Sequence, residues 1–306
     1  MATKVAQVMV LHALTPLHPG SGQSTGIVDL PVQREVHTQF PMVAASGVKG
    51  SLRDLAETRA SAGEVGWTRD VVETVFGPET ANASEGAGAL SVTDLRILAF
   101  PVRSLQAVFV WVTCPLVLRR LQRDLNLAGK ACPDLAVAGP SDEEVVIAGE
   151  YRPPLLLEER ALQVRKPDKA SLAAMDLVAE LAPADLRDDL RSKLAIVSDQ
   201  VFTYFVRHCT QVSARIALNE RKTTTGDGGN LWYEETLPPE TILYGLLVCS
   251  APRIQRDGWK RGRSAGAVAE CVAGLFAERP YIQIGGNETV GQGWCRVNLM
   301  RAGDMA

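Results

Sequence analysis

Between His18 and Glu35 the chain sets out an imidazole, a carboxylate at Asp29 just ahead of Pro31, and a guanidinium at Arg34. Cutting an RNA strand needs little more. A 2′-hydroxyl must be aligned with its own phosphate, and something must take its proton or bind a metal. Asp29 can do either, and Arg34 can steady a phosphate. An Asx-turn before Pro31 and a loop-packing role for His18 are the plain alternatives. A second candidate is the run from Ile284 to Trp294, where Gly285, Gly286, Gly291 and Gly293 free the backbone to pass close to a partner. Successive free amides in such a loop hold phosphate oxygens, and an ordinary tight loop has the same composition. It is not a dinucleotide fingerprint, because a strand rather than a helix follows it.

Two further features bear on anions. A helix is expected from about Ser46, with that serine as N-cap and Lys49 in the first turn. A cation there opposes the helix dipole, which makes sense if an anion binds beside it. Arg34 and Arg53 extend this into a basic strip, although a single solvated lysine is commoner. The other feature is a projected hairpin, with Arg221 and Lys222 at its tip and Trp232, Tyr233, Glu234 and Glu235 at its base. Basic and aromatic residues together can split a base stack, or the aromatics can simply pack the hairpin down. The stretch Arg253, Arg256, Lys260, Arg261 and Arg263 has a solvated face as its default reading.

These residues must be held by elements that the pattern sketches. The chain has 306 residues, 46% hydrophobic and 22% charged, with a formal charge of −3. That is a folded protein of one large or two medium domains, and one that does not wrap nucleic acid by bulk charge. Its six cysteines form no C-x-x-C pair, and with only four histidines no zinc site is expected. No apolar run approaches the roughly 20 residues of a membrane span. The N-terminal stretch lacks the features of a signal peptide, so a cytoplasmic setting is expected. Strands are predicted over 5–14, 90–100, 106–113, 241–250, 281–284 and 294–300, and helices over 68–75, 115–128 and 265–277. Segments 61–90 and 141–200 read as mostly helical insertions, and 215–238 as the hairpin. The whole is expected to be one α+β domain, an antiparallel sheet with helices on one face, its core built from 1–60, 91–130 and 240–306.

Taken in order, Leu14-Thr-Pro-Leu-His18-Pro-Gly-Ser-Gly, Val28-Asp-Leu-Pro-Val-Gln-Arg-Glu35, Ser46-Gly-Val-Lys-Gly-Ser-Leu-Arg53, Phe100-Pro-Val-Arg-Ser104, Leu231-Trp-Tyr-Glu-Glu235 and the terminal glycine loop resemble the repeat-associated mysterious proteins of CRISPR systems. More narrowly they resemble the family of backbone (fourth) subunits of the type III-B Cmr RNA-silencing complex. The likeness runs from about residue 5 to about residue 300.

The resemblance implies a ferredoxin-like, RRM-like palm with a helical fingers insertion and a β-hairpin thumb. It implies copies stacked head to tail along a guide crRNA, a heterologous contact that propagates a filament, together with the other type III-B subunits. Complementary target RNA would be cut at regular intervals beside nucleotides displaced by the thumb, through 2′-hydroxyl attack, leaving a cyclic phosphate and a 5′-hydroxyl. Asp29 matches the catalytic aspartate, as base or as metal ligand, with Mg²⁺ or Mn²⁺ assisting. His18 and Glu234 match accessory positions. Lys49, Arg53 and the four glycines match guide-backbone contacts, and Arg34, Ser46 and Lys222 complete the expected RNA-binding set. Relatives can carry an aromatic residue after the acidic pair, where this chain has Thr236. A guide-binding scaffold without catalysis, the equivalent type III-A subunit, and a guide-processing ribonuclease are the competing expectations.

Overall fold

The computed structural model describes residues 4–79, 86–217, 223, 231–254 and 256–305, with backbone only over 302–305. The hairpin tip carrying Arg221 and Lys222 lies outside the described residues.

Strand β1 (Lys4–Ala13) is buried at every position from Val5 onward. It lies antiparallel between β14 (Trp294–Met305) and β12 (Ile242–Cys249). Successive side chains on a strand point to opposite faces. On one face Gln7 reaches helix α7 (Ala265–Gly274), its Nε2 donating to the Ala269 carbonyl at 3.1 Å. On the other, Val10 and His12 share a face with Asn298 and Arg296 of β14. There Asn298 Nδ2 donates to the carbonyl of Leu181 at the end of helix α4 (Lys169–Leu181). Helices therefore cover both faces, which corrects the expectation of one. A strand as apolar as this cannot leave a face in water.

The main sheet runs β13 (Tyr281–Gln283), β14, β1, β12, β4 (Leu95–Ser104), β5 (Val108–Thr113), β9 (Leu194–Ile196), β6 (Glu144–Ile147), β8 (Arg160–Arg165), β7 (Leu155–Leu157). Strands β2 (Met42–Val43) and β3 (Leu90–Val92) pair with β4 and β12. The path is antiparallel from β13 through β5. It departs from that pattern at β5–β9 and β6–β8, which are parallel. Segment 141–200 is thus not the mostly helical insertion expected. Four strands join the sheet from it, and helices α4 and α5 (Arg187–Lys193) lie among them. Its strands are three to six residues long, too short for a period to show in sequence. Apart from this sheet stands a two-stranded ribbon of β10 (Gln211–Ile216) and β11 (Leu231–Thr236), the base of the expected hairpin.

The remaining helices are α1 (Ala45–Ser61), α2 (Arg69–Phe76), α3 (Pro115–Leu127) and α6 (Asp199–His208). Side-chain caps start α2 at Thr68, α4 at Asp168, α6 at Ser198 and α7 at Ser264. Helix α1 differs from expectation. Its N-cap is Ala44, Ser46 lies exposed inside the first turn, and Asp94 from the β3–β4 turn accepts from the Ala45 amide at 2.8 Å. None of the described helices is long and apolar enough to cross a membrane.

The long loop from β1 to β2 is pinned at Phe40, whose ring meets Phe202 of α6 edge-on with centroids 4.9 Å apart. Beside it Glu35 accepts from Thr38 Oγ1 at 2.5 Å and Arg120 at 2.8 Å, and Arg96 links it to Asp124 and Tyr244. Burial alone would push the Glu35 carboxyl up. The hydrogen bonds from Thr38 and Arg120, with the charges of Arg120 and His37, outweigh it and hold the group below its ordinary value.

Candidate active site

Where the chain leaves β1 it is sewn to both ends of the fold. The amide of Gly293 donates to the Pro16 carbonyl, and Leu17 bridges Leu237 just past β11. His18 follows, 7% exposed. Its Nδ1 lies 2.6 Å from the Glu235 carbonyl oxygen, and since a carbonyl only accepts, the proton is assigned to Nδ1. Nε2 then carries the lone pair and has no partner among the described residues. The ring edge lies over Gly20, where a Cβ would stand 2.8 Å from Nε2.

The glycine loop closes over the His18 backbone. Gly286 donates its amide to the His18 carbonyl at 3.0 Å, and at Gly285, with φ +86°, a β-carbon would stand 2.5 Å from that same oxygen. The amides of Gly291 and Gly293 are also committed, to Glu288 and Pro16. Three of the four glycine amides are thus spent inside the fold. The phosphate cradle expected of this loop is corrected to a clamp. Asn287, left-handed at φ 64°, extends the clamp by donating from Nδ2 to Glu234 Oε1 at 2.8 Å.

Asp29 and Leu30 are laid along β11 as a short parallel partner. Leu30 donates to the Tyr233 carbonyl, Glu235 donates to the Leu30 carbonyl, and Leu30 pairs with Glu234. Asp29 Oδ2 accepts from the Tyr233 amide at 2.7 Å. Its carboxylate is therefore not closing an Asx-turn over Pro31. Oδ1 has no partner among the described residues. Asp29 is on the wall of a cleft of about 500 Å³ whose other lining residues are Gln23, Ser24, Leu30, Leu231 and Trp232.

Neighbours on a strand diverge, and the acidic pair does so. Glu234, 3% exposed, takes Asn287 and, more distantly, Arg215 at 3.4 Å. Glu235, 6% exposed, takes Arg34 Nη2 at 2.5 Å, Thr210 Oγ1 at 2.7 Å and the Val32 amide at 3.0 Å. Thr236 is buried. Tyr233 and Glu235 of β11 thus hold Asp29 and His18 on either side of Glu234, and the buried Glu235 carboxylate holds the loop.

The expected RNA-binding cations divide. Arg34 is turned inward, donating to Glu235 and to the carbonyls of Gln39 and Val206, which corrects its expected place against a phosphate. Arg53 is spent on Glu57 and on the carbonyls of Gly77 and Pro78. Lys49 is different. It is half-buried and has no hydrogen bond or ion pair among the described residues. Burial first, then the charges of Arg53 and Arg253, push its amine below the usual lysine value. Ser46 is exposed in the same first turn of α1.

No group of three or more His, Cys, Asp or Glu side chains converges to hold a metal among the described residues. Three structural residues of the site escaped sequence reasoning. Glu235, named at the hairpin base but given no role there, and Asn287 are two. The third is Gln33, which accepts from the Ala44 amide and donates to the Gly20 carbonyl, tying α1 to the His18 segment. Only the adjacency of Glu235 to Glu234 offered a signal, since the partners of all three lie far along the chain.

Comparison with known proteins places this arrangement. The RAMP superfamily model matches residues 10–296. The CRISPR system Cmr endoribonuclease Cmr4 of Pyrococcus furiosus (strain ATCC 43587 / DSM 3638 / JCM 8422 / Vc1) is 38% identical over 300 residues, 96% of this chain and 95% of that protein. The crystal structure of oligomeric Cmr4 from Pyrococcus furiosus superposes with a TM-score of 0.73 at 31% identity, over 97% of this chain and 98% of that one. A chain of the type III-B Cmr-beta complex bound to cognate target RNA shares the fold, with a TM-score of 0.73 at 20% identity over 96% of each chain.

Proposed function

This chain belongs to the RAMP superfamily, and we propose that it serves as the backbone subunit of a type III-B CRISPR effector, an endoribonuclease that lies along guide crRNA and cuts complementary target RNA. The likeness to an endoribonuclease over nearly the full length supports this, as does the likeness to a protein crystallised as an oligomer, which favours copies of this chain stacked head to tail. In the same terms the sheet from β13 to β5 with its helices is the palm, the 141–200 segment that extends that sheet is the fingers, and the β10–β11 ribbon is the base of the thumb.

The observation that carries the reading is the Asp29 carboxylate. One oxygen is fixed by the Tyr233 amide, and the other is uncommitted on the wall of a cleft beside Trp232. The uncommitted oxygen takes the proton of a target 2′-hydroxyl as that oxygen attacks its own phosphorus. The phosphorus–O5′ bond breaks, the 5′-oxygen gains a proton, and the products are a 2′,3′-cyclic phosphate and a 5′-hydroxyl. His18 Nε2 and Glu234 are accessory, tied to the same residues of β11. Lys49, with Ser46 in the first turn of α1, meets a guide phosphate, and the charge that no carboxylate among the described residues balances is then balanced by RNA. Asp29 is the residue that would hold a divalent ion, Mg²⁺ or Mn²⁺, with RNA supplying further oxygens. The ion would supply positive charge to the reacting phosphate.

The test is end-labelled complementary RNA incubated with the guide-loaded complex, wild type beside Asp29→Ala, read on a denaturing gel. Evenly spaced fragments that vanish in the variant while guide binding persists are expected. An uncut target would leave a scaffold, and an unchanged ladder in Asp29→Ala would place the nuclease elsewhere.

A further inference from the structure

Glu235 meets the site on every side. Its amide donates to the Leu30 carbonyl, and its carboxylate accepts the Val32 amide, so Pro31 is bracketed one residue either way. The other carboxylate oxygen holds Arg34 and Thr210. Its carbonyl takes Nδ1–H of His18, which leaves Nε2 with its lone pair. No other described residue touches both the Asp29 loop and the His18 ring through hydrogen bonds.

We propose that the Glu235 side chain is the positioning residue of the cleavage site, holding the loop that carries Asp29 through the Val32 amide and Arg34. The proposal rests on the functional reading above and deepens it. Glu234 and Glu235 then have separate duties, one facing the glycine clamp and one organising the loop. A buried carboxylate paired with an arginine has a plainer role too, that of stabilising the junction between palm and hairpin. The two roles separate when both charges are removed together. Deleting one partner of a buried pair strands the other, whereas replacing both with apolar groups of similar volume commonly restores stability. The Val32 amide and Thr210 would still lack their acceptor, so the loop would stay loose.

Three variants decide it: Glu235→Gln, Glu235→Leu, and Glu235→Leu combined with Arg34→Met. Glutamine keeps the volume, but its NH₂ group confronts Arg34 or the Val32 amide as donor against donor. In the guide-loaded complex, Glu235→Gln is expected to bind guide and target within about twofold of wild type and to cleave roughly 100-fold more slowly, the scale of a misplacement near 1 Å. The double variant is expected to regain the thermal stability that Glu235→Leu loses, without regaining cleavage. Cleavage that tracks thermal stability across the set, or a wild-type rate in Glu235→Gln, overturns the proposal. A separate arm does not depend on cutting. In amide hydrogen exchange of the free chain, the Val32 amide, which the Glu235 carboxylate accepts, should lose protection in Glu235→Gln. Unchanged protection at Val32 overturns the proposal even if the complex proves to be a scaffold.

Discussion

The edge of the His18 ring stands so close to Gly20 that a β-carbon there would lie 2.8 Å from Nε2. At Gly286 a β-carbon would meet the ring at 3.4 Å, an ordinary contact. Gly20→Ala is therefore expected to push the imidazole off its position and to slow target cleavage by tenfold or more, whereas Gly286→Ala leaves the rate within about twofold. Single-turnover cleavage by the assembled complex measures both. Equal rates in the two variants would show that the ring position does not matter to cutting.

Helix α1 is capped by Asp94 rather than by its own Ser46. Asp94→Ala is expected to cost about 1 kcal/mol of stability, within the usual range for a lost cap, and Ser46→Ala close to nothing. Denaturant unfolding of the isolated chain compares them, and a larger loss from Ser46→Ala would contradict this assignment.

Lys49 sits unfavourably in the free chain, and the role proposed for it is guide binding. Its amine is disfavoured by burial and by Arg53 and Arg253. Lys49→Met should leave the free chain at least as thermostable as wild type while weakening guide binding. The slope of log affinity against log salt should fall by roughly 0.7 to 1, the worth of one phosphate contact. An unchanged slope would remove Lys49 from the interface.

The Glu35 carboxyl carries the pH dependence. Burial works against its charged form, and Thr38, Arg120 and His37 more than offset that, so its folded value lies below its ordinary 4.5. A depressed carboxyl contributes stability that is complete above the ordinary value and is lost as pH falls through the folded one. Melting temperature should therefore fall more between pH 6 and pH 3 in wild type than in Glu35→Gln. Parallel curves would show that the network contributes nothing.

What the sequence disclosed followed range along the chain. Strands and helices with long periodic patterns were legible to within a few residues: β1, α3 and α7, with α2 announced by Thr68 as its cap. Asp29 and His18 were legible as chemistry because their types and loop stood out. The cap of α1 was not, since Asp94 arrives from another turn and competes successfully with the nearer serine. Nor were the strands of 141–200, whose pairing partners supply the order their own short patterns lack. Arg34 looked like a phosphate ligand because an arginine in a polar loop usually faces water. Only the fold brings Glu235, Gln39 and Val206 around it. The glycines promised free amides, and tertiary hydrogen bonds consumed three of them.

The clamp on His18 has a consequence in time. Its pieces, Gly285, Gly286 and Asn287, lie just before β14, whereas the residues they secure belong to the first loop and to β11. Until the segment ahead of β14 has docked, the His18 carbonyl lacks its amide and Glu234 lacks Asn287. The geometry proposed for cutting therefore assembles only once segments from opposite ends of the fold have met.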